Sequence, residues 1–121
     1  MKTILFIEDE TALQKTLSEV LRQEDYKVIS SLDGEGGLNL AKLEKPDLIL
    51  LDLILPKMNG FDVLANLKAS PETKKIPVIV MTNLENLENV EKAIEAGAMT
   101  YLCKAQYSLT EILEKIKKIL D

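Results

Sequence analysis

The sequence predicts a doubly wound α/β fold, (βα)5, whose five-stranded parallel sheet is covered by helices on both faces. Three observations predict it. Short apolar runs recur along the chain, and segments of helical period fill the intervals between them. The length of 121 residues suits one domain, 1–121, with no linker, repeat or low-complexity stretch.

The expected strands are Thr3–Ile7, Lys27–Ser30, Leu48–Leu51, Ile76–Met81 and Met99–Cys103. They are short and mostly apolar, as suits strands buried on both sides of a parallel sheet. Leu13, Leu17, Val20 and Leu21 line one face of the first helix. Leu38, Leu40, Ala41 and Leu43 mark the second, and Phe61, Val63, Leu64 and Leu67 the third. Leu87, Val90 and Ile94 give the fourth its apolar face. Leu109, Ile112, Leu113, Ile116, Ile119 and Leu120 do so for the fifth. Pro46 precedes the third strand, Pro71 closes the third helix, and Pro77 sits near the start of the fourth strand. Gly97 stands where a helix ends in the left-handed conformation. Asn59-Gly60 leads into helical period, which predicts a loop entering a helix rather than a hairpin. Gly34, Gly36 and Gly37 lack the Lys-Ser/Thr of a phosphate loop and are read as a turn into the second helix.

One common order for such a sheet is 2-1-3-4-5, the flavodoxin-like arrangement. Ligands then sit at the carboxyl ends of the strands, where the first and third strands flank the switch point. The first strand runs into Glu8-Asp9-Glu10, the third into Asp52, the fourth into Thr82 and the fifth into Lys104. These groups can converge along one edge of the sheet.

Composition removes several function classes. The net charge is −5 and there is no basic block, so direct nucleic-acid binding is not expected. The absence of histidine removes the usual general base, most zinc sites and any phosphohistidine on this chain. A single cysteine, Cys103, excludes an internal disulfide and is read as a small core residue. The longest apolar stretch, Leu48 to Leu55, is interrupted by Asp52 and too short to span a bilayer. The N-terminus turns acidic too early for a signal peptide, so a cytoplasmic protein without membrane attachment is expected.

Asp52 lies in an apolar run. An ionised carboxylate there needs a partner, and neighbouring carboxylates raise its cost further. A bound cation resolves the conflict. Oxygen ligands without His or Cys favour Mg2+, or Mn2+, over zinc. Each residue also has a plainer reading. Asp52 could cap a loop, Glu8 and Asp9 could be solvated acids at a helix start, Thr82 could be an N-cap, and Lys104 a surface lysine. Lys115, Lys117 and Lys118 read as a solvated helix face.

Taken together, these residues resemble the receiver domain of two-component response regulators over essentially the whole chain. The resemblance rests on Ile4-Leu5-Phe6-Ile7-Glu8-Asp9-Glu10, on Asp47 to Asp52 followed by Pro56 and Gly60, on Val78 to Thr82, and on Gly97-Ala98 through Tyr101-Leu102-Cys103-Lys104. It implies that Asp52 accepts a phosphoryl group from a histidine kinase or phosphotransfer protein. It implies that Asp9 binds Mg2+ directly, Glu8 through water, and Ile54 through its backbone carbonyl. Thr82 would hydrogen-bond the phosphoryl group, Lys104 would pair with it, and Tyr101 would turn inward as Thr82 moves. A downstream protein would read the surface of the fourth helix, fifth strand and fifth helix. On this basis the chain is not a conventional enzyme and catalyses only its own phosphorylation and dephosphorylation.

The sequence also departs from the family. Ala105 stands where a proline usually follows the lysine, often through a cis bond. A cis bond before a non-proline residue costs roughly 3–4 kcal/mol, so a trans bond or a reshaped loop is expected. Asn83 replaces a residue that is often small. Ile54 and Leu84 are apolar where polar side chains are common, which predicts a hindered hydrolytic water and a long-lived phosphoryl group. Competing readings are fewer. A haloacid-dehalogenase-type phosphatase needs an aspartate where Ile54 stands. A flavodoxin-like electron carrier needs a phosphate cradle where Glu8-Asp9-Glu10 would repel one. A pseudo-receiver, binding partners without phosphorylation, is the remaining alternative. The protein is expected either to act alone or to be a receiver cut from a longer regulator.

Overall fold

The computed structural model describes residues 1–83 and 86–121. Leu84 and Glu85 lie outside the described residues. Strands β1 (Thr3–Ile7), β2 (Lys27–Ser31), β3 (Leu48–Leu51), β4 (Val78–Thr82) and β5 (Thr100–Cys103) alternate with helices α1 (Thr11–Gln23), α2 (Gly34–Glu44), α3 (Gly60–Ala69), α4 (Leu87–Glu95) and α5 (Leu109–Leu120). The strands are parallel in the order β2-β1-β3-β4-β5, as expected.

Alternation along each strand divides the core in two. Ile4, Phe6, Leu48, Leu50, Ile79 and Met81 pack with Leu17 and Leu21 of α1 and Ile112 and Ile116 of α5. Their neighbours Leu5, Ile7, Ile49, Leu51, Val78 and Val80 pack on the other face with Leu38, Ala41, Val63, Leu64 and Leu67 of α2 and α3. This is why β1, β3 and β4 read as nearly unbroken apolar runs, being buried on both sides, whereas the edge strand β2 does not.

Local signals fix the helix ends. Asn59 accepts from the Asp62 N–H, Asn86 from the Glu88 N–H, and Ser108 forms a capping box with Glu111. Gly97 takes φ +111° just beyond α4, as the helix-stop reading requires. Five expectations need correction. Ile76 and Pro77 lie outside β4, which starts at Val78 and runs on through Thr82. Met99 lies outside β5 and is exposed. Thr82 ends β4 and does not cap α4, whose N-cap is Asn86. Lys117 is not simply solvated, because it pairs with Glu24. Gly34, Gly36 and Gly37 lie inside the first turns of α2, where Asp33 caps the helix by accepting from the Gly36 N–H. No described helix is long and apolar enough to cross a membrane.

Candidate functional site

The parallel register brings the strand ends together. β1 and β3 are neighbours, and the Asp52 N–H donates to the Ile7 carbonyl at 3.1 Å. Glu8 and Asp52 therefore emerge side by side at the switch point. β5 pairs with β4 so that Thr82 stands opposite Cys103, which places Lys104 one residue beyond.

The lysine reaches across the sheet edge. Lys104 Nζ lies 2.9 Å from Asp52 Oδ2, 2.5 Å from Glu8 Oε1 and 3.7 Å from Glu10 Oε2. The turn that delivers it, Lys104–Gln106, is a short 3-10 helix, and the Lys104–Ala105 bond is trans. The trans bond expected from Ala105 is present, and the lysine still reaches Asp52.

Oxygens of Glu8, Asp9 and Asp52 lie within 4.8 Å of one another, close enough to share one cation. Asp52 is only 5% exposed and Glu8 is fully buried, so neither is a solvated acid. Asp9 faces solvent. Burial pushes the Glu8 carboxyl up to about 7, although hydrogen bonds from Lys104 and the Glu10 N–H pull the other way. Burial alone would depress the Lys104 ammonium, but hydrogen bonds to Glu8 and Asp52 raise it above the usual lysine range. Asp52 also accepts from the Ile54 N–H through Oδ1 at 3.2 Å.

The donor set suits a hard divalent ion. All three side chains offer oxygen, and one lysine cannot neutralise three neighbouring carboxylates. The Thr82 hydroxyl oxygen is buried without a hydrogen-bond partner among the described residues. Such an oxygen is costly unless a group not in the chain completes it. Tyr101 is half-buried on β5. It borders a shallow cavity shared with Val90, Cys103, Gln106 and Tyr107. Burial, followed by the charges of Cys103 and Asp52, pushes its phenol up. Of the two apolar residues expected to shield the site, Ile54 is 56% exposed, and Leu84 lies outside the described residues.

Two positions of structural consequence are hidden in the sequence pattern. A Cβ on Gly60 would sit 2.4 Å from the Asp52 carbonyl oxygen and 2.3 Å from Leu53 Cα, so only glycine lets α3 start against the Asp52 loop. A Cβ on Gly34 would sit 2.2 Å from the Met58 carbonyl oxygen. The start of α2 thereby braces the β3–α3 loop, and Gly34 N–H donates to the Pro56 carbonyl at 3.4 Å.

Comparison with known proteins agrees with this fold. The family model of the response regulator receiver domain matches residues 4–117. Sporulation initiation phosphotransferase F of Bacillus subtilis is 33% identical over 117 residues, covering 97% of this chain and 92% of that protein. Transcriptional regulatory protein PdtaR of Mycobacterium tuberculosis is 34% identical over 118 residues, 96% of this chain and 55% of that protein. The chain spans about half the length of such transcriptional regulators. A CheY-like receiver domain protein from Methanospirillum hungatei superposes with a TM-score of 0.92 at 31% identity, over 100% of this chain and 94% of that one. The Mn2+-bound form of response regulator Rcp1 gives a TM-score of 0.81 at 35% identity, covering 98% and 91%.

Proposed function

Since this chain belongs to the response regulator receiver family, we propose that it accepts a phosphoryl group on Asp52 beside a divalent metal and alters its α4, β5 and α5 surface in response. One observation carries the proposal: the carboxylates of Glu8, Asp9 and Asp52 cluster at the switch point of the sheet, and the Lys104 ammonium reaches two of them, Glu8 and Asp52.

In the transfer, a carboxylate oxygen of Asp52 attacks phosphorus and forms an acyl phosphate. The P–N bond to the donor breaks, and the donor imidazole keeps the electron pair. The donor is a phosphohistidine on a kinase or phosphotransfer protein, because this chain has no histidine. Bound Mg2+, or Mn2+, would supply positive charge to offset the phosphoryl oxygens in an already acidic site. Asp9, Asp52, the Ile54 carbonyl and, through water, Glu8 would hold that ion. The existence of a Mn2+-bound form of a similar regulator supports a divalent cation here. Lys104 already donates to Asp52 and would follow its charge onto the phosphoryl group. The unpartnered Thr82 hydroxyl would donate to another phosphoryl oxygen. Its inward pull would leave room for Tyr101 to turn toward it, changing what a downstream protein meets. The reach of Lys104 favours this over a pseudo-receiver, whose main support was Ala105.

The protein would act in the cytoplasm, without contacting nucleic acid or membrane itself. It would turn over no substrate beyond its own phosphoryl group. That group would be long-lived, with Ile54 restricting the hydrolytic water. Incubation with a small phosphodonor and Mg2+, followed by intact mass, tests the central claim. A single phosphate adduct is expected on wild type and none on Asp52→Ala. No adduct on wild type, or an equal one on Asp52→Ala, would sink it. Rapid loss of the adduct in Mg2+ without a phosphatase would refute the long lifetime alone.

A further inference from the structure

Gln14 sits in the second turn of α1, and its side chain reaches back over the acidic loop. Its Nε2 donates to the Glu8 carbonyl at 3.0 Å and to the Ser31 carbonyl at 3.0 Å. Both partners can only accept, so the NH2 side of the amide must face them. The Ser31 carbonyl also accepts the Glu8 N–H at 3.0 Å. Glu8 lies one residue past the end of β1, so its carbonyl is beyond that strand. Gln14 therefore extends the β1–β2 connection by one more link, using a side chain in place of a strand.

The far end of the loop is held by the helix backbone rather than by this side chain. The Gln14 N–H donates to the Glu10 carbonyl at 3.0 Å. Between these two anchors, the Glu10 N–H donates to Glu8 Oε2 at 3.1 Å. Three consecutive acidic residues repel one another, and a loop of them left untied would spread its carboxylates apart. A lysine or arginine at this point could tie the loop, but it would also cancel the negative potential that attracts a cation. An amide ties the loop and adds no charge.

We propose that Gln14 is a positioning residue for the metal site: it holds the Glu8-Asp9-Glu10 loop so that Glu8 and Asp9 face Asp52, and it does so without charge. The proposal rests on the metal-binding reading of those carboxylates. Residues behind metal ligands commonly change affinity by about 10- to 100-fold when removed.

Mn2+ affinity, read by electron paramagnetic resonance of the free ion, tests it on wild type, Asp9→Asn, Gln14→Met, Gln14→Glu and Thr73→Val. Thr73 is buried far along α3's exit, where its hydroxyl donates to the Leu67 carbonyl, and serves as a stability control. Gln14→Met should bind Mn2+ about tenfold more weakly. Amide exchange at Asp9 and Glu10 should also quicken in its metal-free form. Gln14→Glu separates position from charge. The added negative charge alone would tighten binding, whereas a carboxylate facing two carbonyls would release the loop and weaken it. Thr73→Val should unfold earlier yet keep wild-type affinity. Binding by Gln14→Met close to wild type, tighter binding by Gln14→Glu, or an equal loss in Thr73→Val would overturn the proposal. Should Gln14→Met fail to fold, Gln14→Asn, too short to span both carbonyls, is read in its place by the same criteria. No Mn2+ binding by wild type, or undiminished binding by Asp9→Asn, would instead strike the metal reading and take the proposal with it.

Discussion

Helices α3 and α4 are nearly equal in length, and both lie on the same face of the sheet, yet they are held in opposite ways. α3 buries Val63, Leu64 and Leu67 completely. α4 buries only Ala93 and leaves Leu87 70% and Ile94 45% exposed. A nine-residue helix is marginal on its own. α4 therefore depends on its Asn86 cap, its closing turn at Gly97 and a small apolar footing. The contrast shows how one fold combines a rigid wall behind Asp52 with a lightly held element beside β5.

Truncation on the two helices should break the symmetry of length most plainly. Leu64→Ala should lower stability by about 3 kcal/mol, through lost burial and a cavity against the sheet. Ile94→Ala should stay within about 0.5 kcal/mol, because little is buried to lose. Urea unfolding of each variant measures both. A loss at Ile94 equal to that at Leu64 would mean that α4 is packed as firmly as α3.

Native-state amide exchange sharpens the same contrast without mutation. Amides of α3 should exchange only through global unfolding, while those of α4 should open with roughly 2 kcal/mol less protection, as expected for an element with few buried contacts. Equal protection in the two helices would remove α4 as the lightly held element.

The sequence showed the face of α4 but not its fate. Leu87, Val90 and Ile94 have correct helical spacing, and spacing says which residues share a face, not whether another element covers it. The strand order and the convergence of Glu8, Asp9, Asp52 and Lys104 were legible for a different reason. In a parallel α/β sheet, strand ends are adjacent by topology, so a charged residue after an apolar run is already located. Gly34 and Gly60 were not legible as supports of the Asp52 loop. Their need arises from backbone oxygens of Met58 and Asp52, which only the folded chain brings within reach. Gln14 looked like any polar residue on a helix, because its partners are carbonyls that carry no signature in the side-chain pattern.

A cation–π contact joins the firm helix to the light one. Lys92 of α4 places its ammonium 4.3 Å from the ring centroid of Phe61 in α3. Lys92 is exposed, so water screens the pair, and such an interaction is worth about 0.5–1 kcal/mol. A double-mutant cycle with Lys92→Met and Phe61→Leu should return a coupling of about that size by urea unfolding, because each single change removes the same contact. Exchange on α4 should quicken in either variant while α3 keeps its protection. That asymmetry is the informative part. A contact that merely added to the core would loosen both helices together, whereas a tether on a lightly held helix should release only the helix it restrains.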